Sequence, residues 1–227
     1  MSPKAPGSKA SRRRKGERGS VGLSRERVVG AALSLVEKEP RSQVTLSAVA
    51  RELGVATMSL YTHVRSREDL VQAVKVAALR RFHCHTRPDD PWDRQLSDLL
   101  DAVRVHLARY PFLAFEPGGP PVTWPEVLLP LVRILKLAGL REGELAEATR
   151  WLGRVFWGLG VLEQHAAVPV ASRHLYAQSN QLPVETQEEL ADVLPLLAAG
   201  TAEQAFDFSV GRAIAAVRDL IQERNVA

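Results

Sequence analysis

A short segment near the N-terminus carries side chains that are unusual for a helix facing only water. Leu60 and Val64 supply apolar anchors at i and i+4 of a short predicted helix. The other side chains are hydroxyls, a thioether, a phenol and an imidazole, contributed by Thr57, Met58, Ser59, Tyr61, Thr62 and His63. Such groups can reach base edges or phosphates without being held away by long charged arms. This pattern favours contact with a nucleic acid.

The residues before this helix predict its companion in a helix-turn-helix. Val49, Ala50 and Leu53 recur at helical spacing, and Thr45 is placed to cap their helix. Gly54 interrupts the pattern where a left-handed residue would let the chain turn. Two helices joined in this way present the second one to the major groove of DNA.

Two further helices complete the predicted N-terminal head. Ser24 can cap a first helix that Pro40 ends, and this helix supplies the third wall of a three-helix unit. Ser66 opens a fourth helix, which runs through about Phe82 and links the head to the rest of the chain. We therefore expect a helix-turn-helix domain at residues 23–66 and a connecting helix at residues 67–85.

The order of these segments resembles the N-terminal domain of the tetracycline-repressor (TetR) family. The resemblance rests on LSRERVVGAALSLVEKE, TLSAVARELGVATMSLYTHV and SREDLVQAVKVAALRRF, and its most specific part is VAxELGVxxxSLYxHV, from Val49 to Val64. It implies a homodimeric transcriptional regulator, usually a repressor, that leaves a palindromic operator when a small effector enters the C-terminal body.

The resemblance also implies roles for single residues. Contacts to bases are implied for Ser47, Thr57, Met58 and Ser59. Contacts to phosphates are implied for Thr45, Tyr61, His63 and Arg67. The alternative for Tyr61 or His63 is packing against the first or the fourth helix.

Positive charge is concentrated at the start of the chain, although the net charge is only +4. The basic residues there are Lys4, Lys9, Arg12, Arg13, Arg14, Lys15 and Arg18. With its Ser, Gly and Pro content, we expect the segment 1–22 to be a disordered arm in the free protein. The basic side chains of this arm would neutralise phosphates or enter a minor groove next to the second helix of the helix-turn-helix. The residues concerned are Arg12, Arg13, Arg14 and Lys15. A merely solubilising tail is the alternative.

Residues 86–227 predict a helical body, so the whole chain is expected to be all-α. The expected body helices run from Trp92 to Tyr110, from Trp124 to Leu137, from Glu142 to His165, around Gln187 to Ala199, and from Thr201 onward. The stretch 168–185 lacks periodicity and is predicted to be a loop. The Glu142 helix and the last helix are apolar on more than one face. The resemblance implies that they pair with their twofold mates in a homodimer, although a monomeric core would show the same pattern.

A ligand-binding and dimerisation domain is therefore expected in the body. Candidate lining residues for its effector are His83, Leu99, Val103, His106, Trp124, Trp151 and Phe156. Most are apolar, which indicates a small, largely apolar effector, and ordinary core packing is the alternative for each. Tetracycline repressors place a histidine near the end of the fourth helix and an amide on the next. His83 aligns with that histidine, but Leu99 aligns with the amide, so tetracycline with magnesium is not expected.

Other function classes find little support in the sequence. There is no Gly-rich phosphate loop, GxSxG or HExxH, so we expect neither a catalytic site nor a cofactor. On a continuous helix His83 and His85 point about 200° apart, so we expect no metal site either. The single Cys84 and the lack of a 20-residue apolar run indicate a cytoplasmic protein without a membrane anchor.

Three hypotheses remain from the sequence. The first is a DNA-binding dimer controlled by a small effector. The second is a DNA-binding regulator that is controlled by a protein partner, or acts as an activator, without such an effector. The third is an enzyme with a helix-turn-helix accessory, which would need titratable groups converging in the body.

Overall fold

The computed structural model describes residues 22–40, 44–115, 124–164, 174 and 176–226. The described residues form helices and no strands, which confirms the all-α expectation. Within the same residues, no helix combines the length and hydropathy that crossing a membrane requires.

The helices follow the predicted order closely. The head contains α1 (Arg25–Lys38), α2 (Leu46–Leu53) and α3 (Thr57–Leu60), and α4 (Arg67–Leu79) leaves it. The first half of the body contains α5 (Trp92–Arg109), α6 (Phe112–Phe115), α7 (Pro125–Leu137) and α8 (Glu142–Gln164). A 3-10 turn at Ser179–Gln181 precedes α9 (Val184–Leu190), α10 (Leu194–Ala199) and α11 (Ala202–Val226).

Side-chain caps at helix N-termini explain several of these boundaries. The Ser24 hydroxyl accepts a hydrogen bond from the Arg27 amide at 3.3 Å, and the Thr45 hydroxyl accepts one from the Ala48 amide at 3.2 Å. At the start of α11, Thr201 and Gln204 exchange two hydrogen bonds of 3.0 and 3.1 Å, which is the capping box that their spacing predicts.

The predicted boundaries differ from the observed ones in three places. The α-helix of α4 ends at Leu79, and turns carry the chain on to Phe82. The predicted loop 168–185 is partly helical, because it contains the 3-10 turn and the start of α9. The helix predicted around Gln187 to Ala199 is two helices, α9 and α10, which are separated by turns just before Pro195. Pro195 lies in the first turn of α10, where its missing amide hydrogen costs nothing.

A continuous apolar core joins the head to the body. In the head α1 packs on α2 and α4. In the body α5, α7 and α8 pack against one another, and α11 packs on α5 and α8. The buried side chains form one cluster that runs from Val28 in α1, through Phe82, to Val217 in α11. Because no solvent layer separates the two parts of this cluster, a shift of α5 can be transmitted to the head through the contacts around Phe82.

Candidate DNA-binding site

The reader helix α3 is held by one buried side and exposes the other. Leu60 is fully buried, and Val64 just after the helix is 1% exposed. On the outer side Met58 is 75% exposed, Tyr61 is 47% exposed, and Ser59 is also exposed. A methionine this exposed gains nothing from the core, so its side chain is available to a partner.

Gly54 sets the angle between α2 and α3. It is the C-cap of α2, with φ of 67° in the left-handed region, and its amide donates to the Arg51 carbonyl at 3.2 Å. The Val55 amide then donates to the Ala50 carbonyl at 3.0 Å. These two bonds end α2 and fix the direction in which α3 leaves.

An ion pair between Arg25 and Asp69 braces the segment that follows α3. The Arg25 guanidinium donates to both Asp69 oxygens, at 2.6 and 3.0 Å, and to the His63 carbonyl at 2.8 Å. Asp69 also accepts from the Arg65 amide at 2.8 Å. The Arg25 hydrogen bonds, followed by the one from Arg65, hold the pKa of Asp69 far below its usual range. Three separate segments of the head therefore meet at one carboxylate.

The remaining residues that are predicted to contact DNA lie around α3, and they differ in how exposed their side chains are. Ser47 is exposed, and its hydroxyl lies 3.3 Å from that of Thr45, which already caps α2. His63 is half-buried, whereas Tyr61 is exposed. Arg67 is exposed at the start of α4 and its Nε donates to the Val44 carbonyl at 3.1 Å. Arg12, Arg13, Arg14 and Lys15 of the predicted arm lie outside the described residues.

In the part of the chain that the structure describes, the predicted effector residues do not line one cavity. Leu99, Val103 and Phe156 surround an apolar space between α5, α7 and α8, but its volume is only about 20 Å³. Trp157 of α8 also lines this space, although it was not predicted as a lining residue. The Trp157 ring packs edge-on against that of Trp124, at 6.2 Å between centroids.

The expected lining role of Trp151 needs a correction. Its side chain is 40% exposed on the outer side of α8, whereas Leu152 and Phe156 are the residues that face inward. Helical spacing defines a stripe but not its angular centre, so Trp151 and Trp157 could not be told apart from the sequence.

The two candidate histidines lie elsewhere, in an open groove. This groove has a volume of about 940 Å³ and lies between the segment 81–90 and the outer side of α5. His83 is exposed there, and His106 is 8% exposed. Burial, and then the nearby Arg109, lowers the pKa of His106 to about 4, so the ring is neutral at pH 7. Among the described residues, no group of three or more His, Cys, Asp or Glu side chains is arranged to hold a metal ion.

A polar cluster at the wall of this groove was not predicted from the sequence. The carboxylate of Glu37, on α1, accepts hydrogen bonds from Arg81, from Tyr110, and from Arg109 at 3.2 Å. Burial raises the pKa of Glu37, but the hydrogen bonds from Arg81 and Tyr110 outweigh it and leave the pKa below its usual value. Glu37 and Tyr110 are 73 positions apart, and no local pattern could have paired them.

Comparison with known proteins gives a match for the head and a likeness for the whole chain. Residues 28–74 match the family of bacterial regulatory proteins named tetR. The class D tetracycline repressor of Escherichia coli is 32% identical over 90 residues, which cover 39% of this chain and 41% of that protein. The chain thus spans less than half the length of that relative. The class E repressor of the same organism is 25% identical over 201 residues, covering 83% of this chain and 87% of that protein.

Solved structures extend the likeness in fold to the body. Apo ActR from Streptomyces coelicolor superimposes with a TM-score of 0.69 at 20% identity, over 86% of this chain and 94% of that one. TetR from Acinetobacter baumannii AYE superimposes with a TM-score of 0.60 at 22% identity, over 88% and 98% of the two chains. The helix-turn-helix geometry and the family match agree: residues 28–74 form a DNA-binding domain of the tetR family, and the likeness in fold continues over the body.

Proposed function

We propose that this protein is a homodimeric repressor that binds a palindromic operator and leaves it when a small molecule binds the body. The observation that carries the proposal is the exposed outer side of α3, where Met58 is 75% exposed although its neighbour Leu60 is fully buried. An anchored helix with exposed short polar and thioether side chains is suited to reading base edges in a major groove.

Two features support a dimer. The resemblance assigns α8 and α11 to the twofold interface, and each exposes a large apolar side chain, Trp151 at 40% and Phe208 at 71%. One reader head covers only a few base pairs. Two heads held about 34 to 36 Å apart would read successive major grooves, and operator symmetry would mirror the protein's twofold axis.

Control by a small molecule draws support from relatives and from the groove. ActR from Streptomyces coelicolor has been solved in complex with (S)-DNPA and with actinorhodin. In the present chain an open groove of about 940 Å³ is large enough for a ligand of ordinary drug size.

A second candidate function is favoured by the small size of the apolar space that the described residues enclose. The apolar space between α5, α7 and α8 is about 20 Å³, which is hardly more than one water molecule requires. A regulator controlled by a protein partner, or an activator without a small effector, would not need a larger interior cavity.

The experiment that tests the proposal is a gel shift on the DNA upstream of the protein's own gene, at two salt concentrations. We expect a discrete complex that survives non-specific competitor and weakens as salt rises. The variant Met58→Ala should lose discrimination between this DNA and a scrambled duplex. The variant Val76→Ala changes an exposed apolar residue of α4 and serves as the matched control.

The result can also refute the proposal. A smear that disappears with salt, with the same affinity for scrambled DNA, would reduce the protein to non-specific binding. A discrete complex that Met58→Ala leaves unchanged would remove α3 from the reader role.

A further inference from the structure

One carboxylate of the head is held by donors from the body side of the molecule. Glu37 lies in the last turn of α1, whereas Arg81 follows α4 and Arg109 and Tyr110 end α5. The Glu37 side chain is 21% exposed, so these hydrogen bonds are partly shielded from water. Charge-assisted bonds of this kind are roughly twice as strong as neutral ones. We call Glu37, Arg81, Arg109 and Tyr110 the hinge cluster.

The three donors of the hinge cluster are also part of the groove wall. Arg81, Arg109 and Tyr110 all line the space of about 940 Å³ between the segment 81–90 and α5. A molecule in the groove would therefore meet two guanidinium groups and a phenol that already bind an acid. The carboxylate that these three groups bind is that of Glu37, which belongs to the head.

The acidic side chains on the groove wall do not cancel this preference. Asp98 is paired with Arg94 at 3.2 Å, and Asp101 with Arg104 at 2.9 Å. Asp90 lines the groove together with Arg87, and two exposed histidines, His83 and His85, also line it. The negative charges on α5 thus already have positive neighbours, so a ligand acid is not met by an unbalanced acidic surface.

We propose that the groove binds a small organic acid, whose carboxylate takes the place of Glu37 on Arg109, Arg81 and Tyr110. Because Glu37 is itself ionised, the exchange replaces one carboxylate by another, so the three donors bind the same negative charge before and after it. Bidentate recognition of carboxylates is a common use of arginine, and the open side of the groove admits the ligand without unfolding.

His106 adds a preference for a ligand that also carries a hydroxyl group. Its Nε2 is buried and has no hydrogen-bond partner among the described residues, although the side chain lines the groove. The imidazole lies between the rings of Phe82 and Tyr110, at centroid distances of 5.4 and 4.9 Å. Tyr110 is 1% exposed, so its ring would have to turn from Glu37 towards the ligand to open the way to the neighbouring imidazole. A neutral histidine nitrogen can then accept a hydrogen bond from the ligand hydroxyl.

The consequence for DNA binding rests on the proposed repressor function. Loss of Glu37 from the hinge cluster removes a polar link between α1 and the end of α5. The heads would then be less firmly placed relative to the body, and an operator that needs a fixed head spacing would bind them less tightly.

The experiment uses three naphthalene probes and titration calorimetry on the full chain. The probe 6-hydroxy-2-naphthoate has both groups, 2-naphthoate lacks the hydroxyl, and 2-naphthol lacks the acid. We expect the hydroxy acid to bind best, the simple acid to bind more weakly, and 2-naphthol to show no saturable binding. Equal binding of all three, or none by the two acids at millimolar concentration, would overturn the proposal.

Two variants locate the bound acid. The variant Arg109→Gln removes a donor that is largely exposed and should weaken binding of the hydroxy acid about tenfold. The variant Glu37→Gln removes the competing carboxylate and should strengthen binding by about the same factor. The variant Arg133→Gln replaces an exposed arginine of α7 and should change nothing. Weaker binding of the hydroxy acid to the Glu37→Gln variant would show that its carboxylate does not compete with the Glu37 carboxylate.

A gel shift then separates this proposal from the repressor function. The hydroxy acid should lower the DNA affinity of the unmodified protein but have little further effect on Glu37→Gln. If the protein binds its operator and the acid binds the groove without changing DNA affinity, the coupling is wrong and the repressor function stands. If no specific DNA complex forms, the repressor function fails, while the calorimetry still decides the acid site.

Discussion

Asp69 shows how single side chains position the reader helix. It accepts from Arg25 on α1 and from the Arg65 amide, while its own amide donates to Ser66 at 3.2 Å. The Arg25 guanidinium also reaches the His63 carbonyl, so the turn after α3 is tied to two helices at once. The pair lies at the surface, where an isolated ion pair contributes little, but here several hydrogen bonds share one geometry.

The variant Asp69→Asn should lower the melting temperature of the protein at pH 7. The folded-state pKa of Asp69 lies below its unfolded value, chiefly because of Arg25. The stabilisation is therefore complete above the unfolded pKa, about 4, and is lost as the pH falls through the folded value. Thermal melts at pH 7 and near pH 3.5 should show the difference between the two proteins shrinking in acid.

A matched control for this variant is Glu147→Gln, which breaks an exposed pair with Arg150 one helical turn along α8. Its melting temperature should hardly change at either pH. If Asp69→Asn melts at the same temperature as the unmodified protein at pH 7, the bracing role of Asp69 is wrong.

At this scale the sequence predicted local contacts and missed distant ones. The caps by Ser24, Thr45 and Thr201 follow from side chains three residues from their partners, and the structure has each of them. The pairs Arg25–Asp69 and Glu37–Tyr110 join residues 44 and 73 positions apart. Their geometry depends on how helices pack, which a single sequence does not specify.

The turn between α2 and α3 is the element on which the reader surface depends. Gly54 has a positive φ, and a Cβ added there would meet no atom within 4 Å. The need for glycine is therefore a matter of backbone conformation and not of space.

Gly54→Ala should destabilise the protein by roughly 1–2 kcal/mol, the cost of a left-handed conformation for an L-residue. Gly54→Asn should cost less, because asparagine tolerates that region better. Chemical denaturation measures both. Gly30→Ala is the control, because Gly30 lies within α1 with open space around it, and alanine should stabilise by roughly 0.5–1 kcal/mol. An equal loss in Gly54→Asn and Gly54→Ala would contradict the conformational explanation.

The contact between α5 and α8 is close at one glycine. A Cβ on Gly160 would lie 2.5 Å from the Leu107 Cδ1, and Leu107 is 1% exposed. The helix that approaches Gly160 closely is therefore α5 of the same chain.

Gly160→Ala should therefore destabilise the body by about 1–3 kcal/mol through overpacking. In the background of Leu107→Ala, the same change should cost much less, because the clashing side chain is gone. A double-mutant cycle by urea denaturation measures this coupling. Additive effects of the two changes would mean that α5 and α8 adjust without strain.

The whole molecule places a reader head and a helical body on one core, and most of this architecture was predictable. Long amphipathic helices such as α5 and α11 show their apolar stripes in the sequence, so their existence and order were predicted correctly. Among the described residues, the apolar space where the effector cavity was predicted has a volume of only about 20 Å³. Stripes report which side of a helix is buried, but whether Phe156 and Trp157 leave a space between them depends on side-chain packing.

Dimerisation is the property of the whole molecule that the proposed function needs most, and Phe208 tests it. Phe208→Glu places a charge on the exposed side of α11, and a charge buried in an apolar interface without a partner is strongly unfavourable. Sedimentation should then show monomers where the unmodified protein gives dimers. Affinity for a full palindrome should fall to that for a half-site, because a monomer presents a single head.

Val184→Glu provides the matched control, since Val184 on α9 is also 71% exposed but lies on a helix to which the resemblance assigns no interface role. It should remain dimeric and bind the palindrome normally. If both variants became monomeric, charge alone would explain the effect. If Phe208→Glu stayed dimeric, α11 would not form the interface, and the exposed Phe208 would need another partner.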